Sequence, residues 1–98
     1  MADAVVLINI FEVPDSDAEE FIGAWERTRD YLQTLSAHLD TALHRANSPG
    51  ADFQFVNIAH WRSAEEFTEA IQSEGFRKSA TGLRWPMHPT LYRIVSTG

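Results

Sequence analysis

The spacing of apolar and polar residues changes along the chain between the period of a strand and the period of a helix. The run 5–11 is β-branched and apolar at successive positions, which is typical of a strand buried on both faces. Similar patterns predict strands over 40–46 and 53–61, joined as a hairpin by the Asn-Ser-Pro-Gly turn at 47–50. A last strand is predicted over 90–95, after a loop bounded by Pro86 and Pro89.

Helical spacing follows the first and third strands. The first helix is predicted to run to about residue 35 because five residues lie on one stripe at helical intervals: Phe21, Trp25, Thr28, Leu32 and Leu35. Ser16 with Glu19, and Ser63 with Glu66, have the spacing of capping boxes at the two helix starts. The second helix is expected to end near Gln72, with Gly75 breaking it before a short turn or helix over 76–81.

This order of elements predicts a single domain, 1–98, with an α+β ferredoxin-like sandwich and a four-stranded antiparallel sheet. Two helices can cover only one face of that sheet. The covered face is expected to hold Val5, Leu7, Asn9, Phe11, Leu43, Phe53, Phe55, Asn57, Ala59, Tyr92 and Ile94. The alternate strand positions, which face the uncovered side of the sheet, are also apolar. We therefore expect a homodimer that packs sheet to sheet.

Composition narrows the classes of function. The net charge is −6, and the eight lysines and arginines are scattered, which disfavours nucleic acid as a partner. The chain has no cysteine, and its histidines and carboxylates show no spacing typical of a metal site. The N-terminus lacks a basic leader and the apolar run 5–11 is too short to span a membrane, so we expect a cytoplasmic protein without a membrane partner.

Three polar side chains are predicted on the covered face. Asn57 and Trp61 share one strand parity with Ala59, and Asn9 points to the same side from the first strand. Two amides and an indole in an apolar interior need hydrogen-bond partners. A bound ligand or water would supply them, and the alternative is that the asparagines bond to a loop or a neighbouring helix.

The segment 56–67, VNIAHWRSAEEF, resembles the signature of the antibiotic biosynthesis monooxygenase family, in which a strand ending Asn-x-x-x-Trp leads into a helix. The resemblance extends from about residue 5 to residue 95. It implies a dimeric α+β barrel and the oxygenation of aromatic polyketides such as anthrones without metal or flavin. Asn57 and Trp61 match pocket positions of the anthrone oxygenases, whereas Phe67 stands where those enzymes often have tyrosine.

The heme-degrading branch of the same superfamily is disfavoured. Asn9 resembles the first-strand asparagine of that branch, but Ala70 and Ala80 stand where an iron-ligating histidine would be expected. No cofactor is therefore expected. Dioxygen would react with a substrate carbanion, whose enolate or phenolate oxygen would receive hydrogen bonds from Asn57 and Asn9 while Trp61 stacks on the ring.

The remaining candidates surround this trio. The expected substrate-binding residues are Trp25, Arg45, Phe67, Phe76, Trp85, His88 and Tyr92, with Leu83 in the same apolar wall and His88 in a loop that could close over the pocket. His38, His44 and His60 are weaker candidates for a base, and Tyr31 is a second remaining phenol. The leading hypothesis is a monooxygenase acting on an aromatic, polyketide-like or quinol-type molecule and dioxygen. A polyketide cyclase or isomerase and a non-catalytic binding dimer remain alternatives.

Overall fold

A computed structural model describes residues 4–98 of the chain. The start of the predicted domain, Met1 to Asp3, where a basic leader was expected to be lacking, lies outside the described residues. In chain order the elements are β1 (Val5–Phe11), a 3-10 turn (Asp15–Asp17), α1 (Ala18–Leu32), β2 (His38–Arg45), β3 (Phe55–Trp61), α2 (Ala64–Gln72), α3 (Glu74–Ser79) and β4 (Met87–Tyr92). Within these residues, no helix combines the length and the apolar character needed to cross a bilayer.

The four strands form one antiparallel sheet in the order β2-β3-β1-β4. This confirms the predicted ferredoxin-like α+β class. In the central pair, Asn9 of β1 lies directly opposite Asn57 of β3, and on its other side Asn9 lies opposite Pro89 of β4. The register therefore brings the two predicted carboxamides together in the middle of the sheet.

Burial alternates along the central strands as a sheet with one covered face requires. In β1 and β3 the covered positions are buried: Leu7, Asn9, Phe11, Phe55, Asn57, Ala59 and Trp61. The positions between them are half-buried. The helices therefore cover the predicted face, and the apolar residues of the open face stay available for the homodimer, which remains a prediction.

Two apolar clusters join the helices to the covered face. In the first, Phe21 of α1 packs between Phe11 and Phe55, with a ring separation of 4.8 Å to each, and Trp85 lies edge-on to it at 5.3 Å. In the second, Trp61 of β3 packs against the buried Ala70 of α2 and against the chain before β2. The space between these clusters is where a cavity forms.

The helix starts follow the sequence prediction only in part. Ser63 caps α2, since its Oγ accepts from the backbone N–H of Glu66 at 3.2 Å, which confirms the predicted serine cap. The Glu66 carboxylate accepts from the Ser63 hydroxyl at 3.0 Å. The predicted box at Ser16 is wrong. Ser16 lies in the 3-10 turn, and α1 begins after Asp17 without a side-chain cap. That helix also ends at Leu32 rather than near residue 35.

The break between α2 and α3 falls at Ser73 and not at Gly75. The Ser73 backbone closes α2, and its Oγ accepts from the N–H of Phe76 at 3.1 Å, which caps α3. Gly75 lies inside α3, where a Cβ would come within 2.5 Å of the Tyr31 ring. A side chain at position 75 would therefore force the Tyr31 ring to move, so this close approach, and not a turn, favours glycine here.

The last strand departs most from the prediction. It runs over Met87–Tyr92 and includes Pro89, so the predicted loop between the prolines is wrong. Proline is tolerated in an edge strand because the backbone groups on its outer side have no neighbouring strand to pair with. The pairing of Leu7 with Leu91 places Leu91 on the covered face, whereas Tyr92 lies on the open face and is 49% exposed. The assignment of Tyr92 to the covered face was therefore wrong.

Candidate functional site

A cavity of about 240 Å³ lies between the covered face of the sheet and the helices. Its floor comes from β1 and β3, including Leu7, Phe11 and Trp61. Its roof comes from the helices, through Trp25 and Leu32 of α1, Phe67 and Ile71 of α2, and Phe76 of α3. Most of the surface is apolar, so a polar atom inside is weakly screened and interacts strongly with a ligand.

The two facing carboxamides form a polar strip across this floor. Asn57 is buried, and its Oδ1 accepts a hydrogen bond from the hydroxyl of Thr41 at 2.7 Å. This bond fixes the amide and leaves its Nδ2 as the donor that Asn57 can offer to the cavity. Thr41 also lines the cavity and completes the polar strip from β2.

Asn9 is held less well than Asn57. Its Nδ2 lies 3.7 Å from the sulfur of Met87, a weak acceptor, and its Oδ1 is buried without a hydrogen-bond partner among residues 4–98. A buried acceptor without a partner costs about 1–3 kcal/mol. Such a cost is typical of a functional position, because a ligand or water could repay it.

Trp61 closes one end of the polar strip. The side chain is 1% exposed, lies edge-on to Phe67 with a ring separation of 5.3 Å, and has no partner for its indole N–H in the described part of the chain. Two residues of the cavity floor thus carry a polar atom that is unpartnered and enclosed by the surrounding protein, the Trp61 indole N–H and the Asn9 Oδ1.

His38 lies behind Trp61, at a ring separation of 5.0 Å. It begins β2 and pairs with Trp61 across the sheet. Burial lowers the pKa of His38, against a smaller opposing effect of Asp40, so the imidazole is neutral at pH 7. The ring does not line the cavity and does not serve as its base.

Arg29 is the charged side chain at the cavity wall, and its charge is already engaged. The guanidinium contacts the Asp30 carboxylate at 3.0 and 3.1 Å and the Glu26 carboxylate at 3.7 Å. It also lies 5.7 Å from the centre of the Trp25 ring. The wall therefore offers little net positive charge to an anionic ligand.

Six of the predicted site residues meet at the cavity: Asn9, Asn57, Trp61, Trp25, Phe67 and Phe76. Leu83, predicted for the apolar wall, lies there too. The sequence reasoning missed Thr28, Thr41 and Met87 as members. Thr28 was on the predicted helix stripe, and its hydroxyl donates to the Ser79 carbonyl at 3.0 Å, which ties α1 to the end of α3. Met87 could not be found because its strand was placed too late in the chain.

Four predicted binding residues lie away from the cavity. Arg45 stacks its guanidinium 5.3 Å from the Phe55 ring, and Trp85 packs in the first apolar cluster and donates its indole N–H to Asp17 at 2.9 Å. His88 lies on the open face, where it contacts Glu12 at 2.7 Å, so it belongs to a strand and not to a closing loop. Tyr92 shares that open face, as described above.

The other histidines of β2 and β3 point to the open face. His60 pairs with Asp40 at 2.6 Å, and this bond holds the pKa of the Asp40 carboxyl below its usual value. His44 lies opposite Val56 on the same face. Neither imidazole lines the cavity, so the structure places no histidine in position to act as its base.

The cavity does not fit heme. Ala80 lines it and Ala70 is buried beside Trp61, so the two positions considered for an iron ligand carry no donor atom. Among residues 4–98, no group of three histidine, aspartate or glutamate side chains is arranged to hold a metal ion. The residues present favour an organic ligand.

Comparison with known proteins agrees with this arrangement. Residues 4–81 match the family model described as antibiotic biosynthesis monooxygenase. A crystal structure of a candidate monooxygenase from Shewanella loihica PV-4 is 36% identical, with a TM-score of 0.85 over 99% of both chains. SnoaB, a cofactor-independent oxygenase from Streptomyces nogalater, is 28% identical, with a TM-score of 0.81 over 98% of this chain and 97% of that one. A search of curated proteins gave no match.

The fold and the cavity define an α+β ferredoxin-like protein with an apolar pocket under its helices. The chain belongs to the antibiotic biosynthesis monooxygenase family.

Proposed function

We propose that this protein is a cofactor-independent monooxygenase that oxidises an aromatic, polyketide-like or quinol-type small molecule in the cavity. The observation that carries the proposal is the meeting of Asn9, Asn57 and Trp61 on the floor of one apolar cavity, with a free amide donor and two unpartnered polar atoms. The printed description of SnoaB as a cofactor-independent oxygenase supports the same class of reaction.

The reaction begins with ionisation of the substrate. Dioxygen has a triplet ground state, so it reacts with an organic molecule that donates one electron readily, such as an enolate or phenolate. The Nδ2 of Asn57 donates to the developing oxyanion, and the low polarity of the walls strengthens this bond. Trp61 borders the same floor. Asn9 adds a second amide.

The oxygen atoms and electrons then balance without a further reductant. The substrate anion gives one electron to dioxygen, the two radicals combine into a C–O bond, and protonation gives a hydroperoxide. Loss of water from a hydroperoxide formed at a CH₂ group gives a ketone. One oxygen atom enters the product, the other leaves as water, and the four electrons come from the substrate.

The proton acceptor is not a side chain of the cavity wall. Among the described residues that line it, there is no carboxylate and no imidazole. The proton therefore leaves to water at the open side of the cavity, and the hydrogen bond from Asn57 lowers the pKa of the substrate enough to make this effective.

Oxygen uptake tests the proposal. Metal-free protein should consume oxygen with hydroquinone or with its two-ring analogue 1,4-dihydroxynaphthalene, and Asn57→Ala and Trp61→Phe should each lower the rate at least tenfold. Matched controls are Asn47→Ala, an exposed asparagine of the hairpin turn, and Trp85→Phe, a tryptophan outside the cavity. If all four variants keep the wild-type rate, the assigned roles are wrong. If wild-type protein consumes no oxygen with either compound, the proposed activity is wrong.

A cyclase or isomerase is the second candidate. The same amide would stabilise an enolate without oxidation, and Phe67 at the cavity lacks the hydroxyl found in many anthrone oxygenases. Such an enzyme would turn over equally well under nitrogen. A non-catalytic binding dimer would raise its melting temperature with ligand and show no turnover in either gas.

We also propose a homodimer formed through the open face. Val6, Ile8, Ile10, Val56 and Ile58 give this face an apolar centre that soluble monomers seldom expose. Sedimentation should give twice the chain mass at micromolar concentration. A species of 11.1 kDa alone would contradict it.

A further inference from the structure

The size of the cavity limits the size of the ring system that it can enclose. An apolar cavity of about 150 Å³ accommodates one benzene ring, which corresponds to roughly 25 Å³ for each ring carbon. On this scale the volume of about 240 Å³ holds roughly ten ring atoms, the number in two fused rings. Three fused rings would need about 350 Å³.

Hydrogen bonds hold the walls of the cavity in place. The Thr28 hydroxyl ties α1 to the carbonyl of Ser79, and Ser73 caps α3 through the N–H of Phe76. Phe76 and Leu83 therefore hold the roof from a helix and a following segment that are both fixed by hydrogen bonds. A third ring would have to displace one of these side chains or protrude through the open side.

The charge of the cavity limits the substrate in a second way. Arg29 is the ionisable side chain among the described residues of the wall, and its guanidinium is already paired with Asp30 and Glu26. A carboxylate would lose its hydration on entering and find no free cation, which is costly in an apolar site. A neutral phenol or ketone needs only one donor, and Asn57 provides it.

We propose that the cavity binds an uncharged, planar aromatic compound of two fused rings that carries a hydroxyl or carbonyl oxygen in preference to three-ring compounds and to ring carboxylates. This inference rests on the proposed function for the identity of the site. The oxygen lies at Asn57, and the rings fill the space between Trp61 and Phe76.

Equilibrium dialysis under nitrogen tests the size limit on the unmodified protein. The probes are phenol, 2-naphthol and 2-anthrol, which differ only in the number of rings, and 6-hydroxy-2-naphthoate, which adds a carboxylate to the two-ring probe. We expect 2-naphthol to bind at least tenfold more tightly than each of the other three. Equal or tighter binding of 2-anthrol would overturn the size limit, and equal or tighter binding of the naphthoate would overturn the charge limit.

A substitution in the cavity roof then tests whether a roof side chain sets the size limit on the ligand. Phe76→Ala removes a ring from the cavity wall and should improve the binding of 2-anthrol at least tenfold relative to that of 2-naphthol. Phe53→Ala is the matched control, because Phe53 is 43% exposed and lies outside the cavity. An unchanged ratio for Phe76→Ala, or the same change in the control, would overturn the assignment.

Failure of this inference is distinguishable from failure of the proposed function. Dialysis under nitrogen measures binding without oxidation. A two-ring preference without oxygen uptake by any probe would keep the inference and reject the oxygenase. Oxygen uptake that is fastest with 2-anthrol would keep the oxygenase and reject the inference.

Discussion

Replacing Asn9 with leucine should make the protein more stable and less able to bind its ligand. The Oδ1 of Asn9 is buried without a partner in the described chain, and its Nδ2 makes only a contact of 3.7 Å with a sulfur atom. Leucine is close to asparagine in shape and removes both polar atoms. The cavity beside it provides space for the additional methyl volume.

The expected gain follows from the cost of the orphaned oxygen. That cost is about 1–3 kcal/mol, and the weak bond to sulfur offsets only a small part of it. A net gain of about 1 kcal/mol raises the melting temperature of a domain of this size by roughly 4–8 °C. Thermal unfolding followed by circular dichroism at pH 7 measures this shift.

Asn57→Leu is the matched control for this experiment. Asn57 Oδ1 accepts from Thr41 at 2.7 Å, so leucine there removes a satisfied hydrogen bond and should lower the melting temperature or leave it unchanged. Both variants should lose the thermal stabilisation that 2-naphthol gives to the wild type. The reasoning would be refuted if Asn9→Leu melted several degrees lower than the wild type and still responded fully to the ligand.

Three further predictions test the capping, the buried histidine and the proton transfer. Ser63→Ala should cost about 1 kcal/mol in urea unfolding because it removes the cap of α2, and Ser16→Ala, which lacks a capping bond, should cost nothing measurable. Burial lowers the pKa of His38 from 6.5, so the unfolded chain binds a proton more readily, and stability should fall as the pH drops below that value. His38→Gln should reduce this slope between pH 7 and 5, and an unchanged slope would contradict the assignment. The rate of oxygen uptake should rise with pH through the pKa of the substrate, whereas a pH-independent rate would point to a base that the cavity wall lacks.

The sequence predicted the fold class because its central strands carry a strong pattern. Val5 to Phe11 and Phe55 to Trp61 are apolar on both parities, so their faces and their pairing could be inferred without coordinates. The edge strand β4 could not be placed in the same way. Its register is set by pairing with β1, which aligns Pro89 with Asn9, and the MHPTLY sequence carries little apolar alternation of its own.

The candidate site was predictable where residues lie on those central strands. Asn9, Asn57 and Trp61 were assigned to one face by strand parity alone, and the structure brings them to one cavity. Trp85 and His88 were misplaced because their positions depend on long-range packing after α3. Their aromatic character could not distinguish the first apolar cluster or the open face from a ligand pocket.

The proposed function requires that the two amides and the indole on the cavity floor contact an aromatic ligand. Titration of ¹⁵N-labelled protein with 2-naphthol under nitrogen tests it directly in a ¹H–¹⁵N spectrum. We expect the side-chain signals of Asn9, Asn57 and Trp61 to shift together with one dissociation constant, while those of Asn47 and Trp85 stay in place. Unmoved signals from all three cavity groups, or equal shifts at Trp85, would contradict the account.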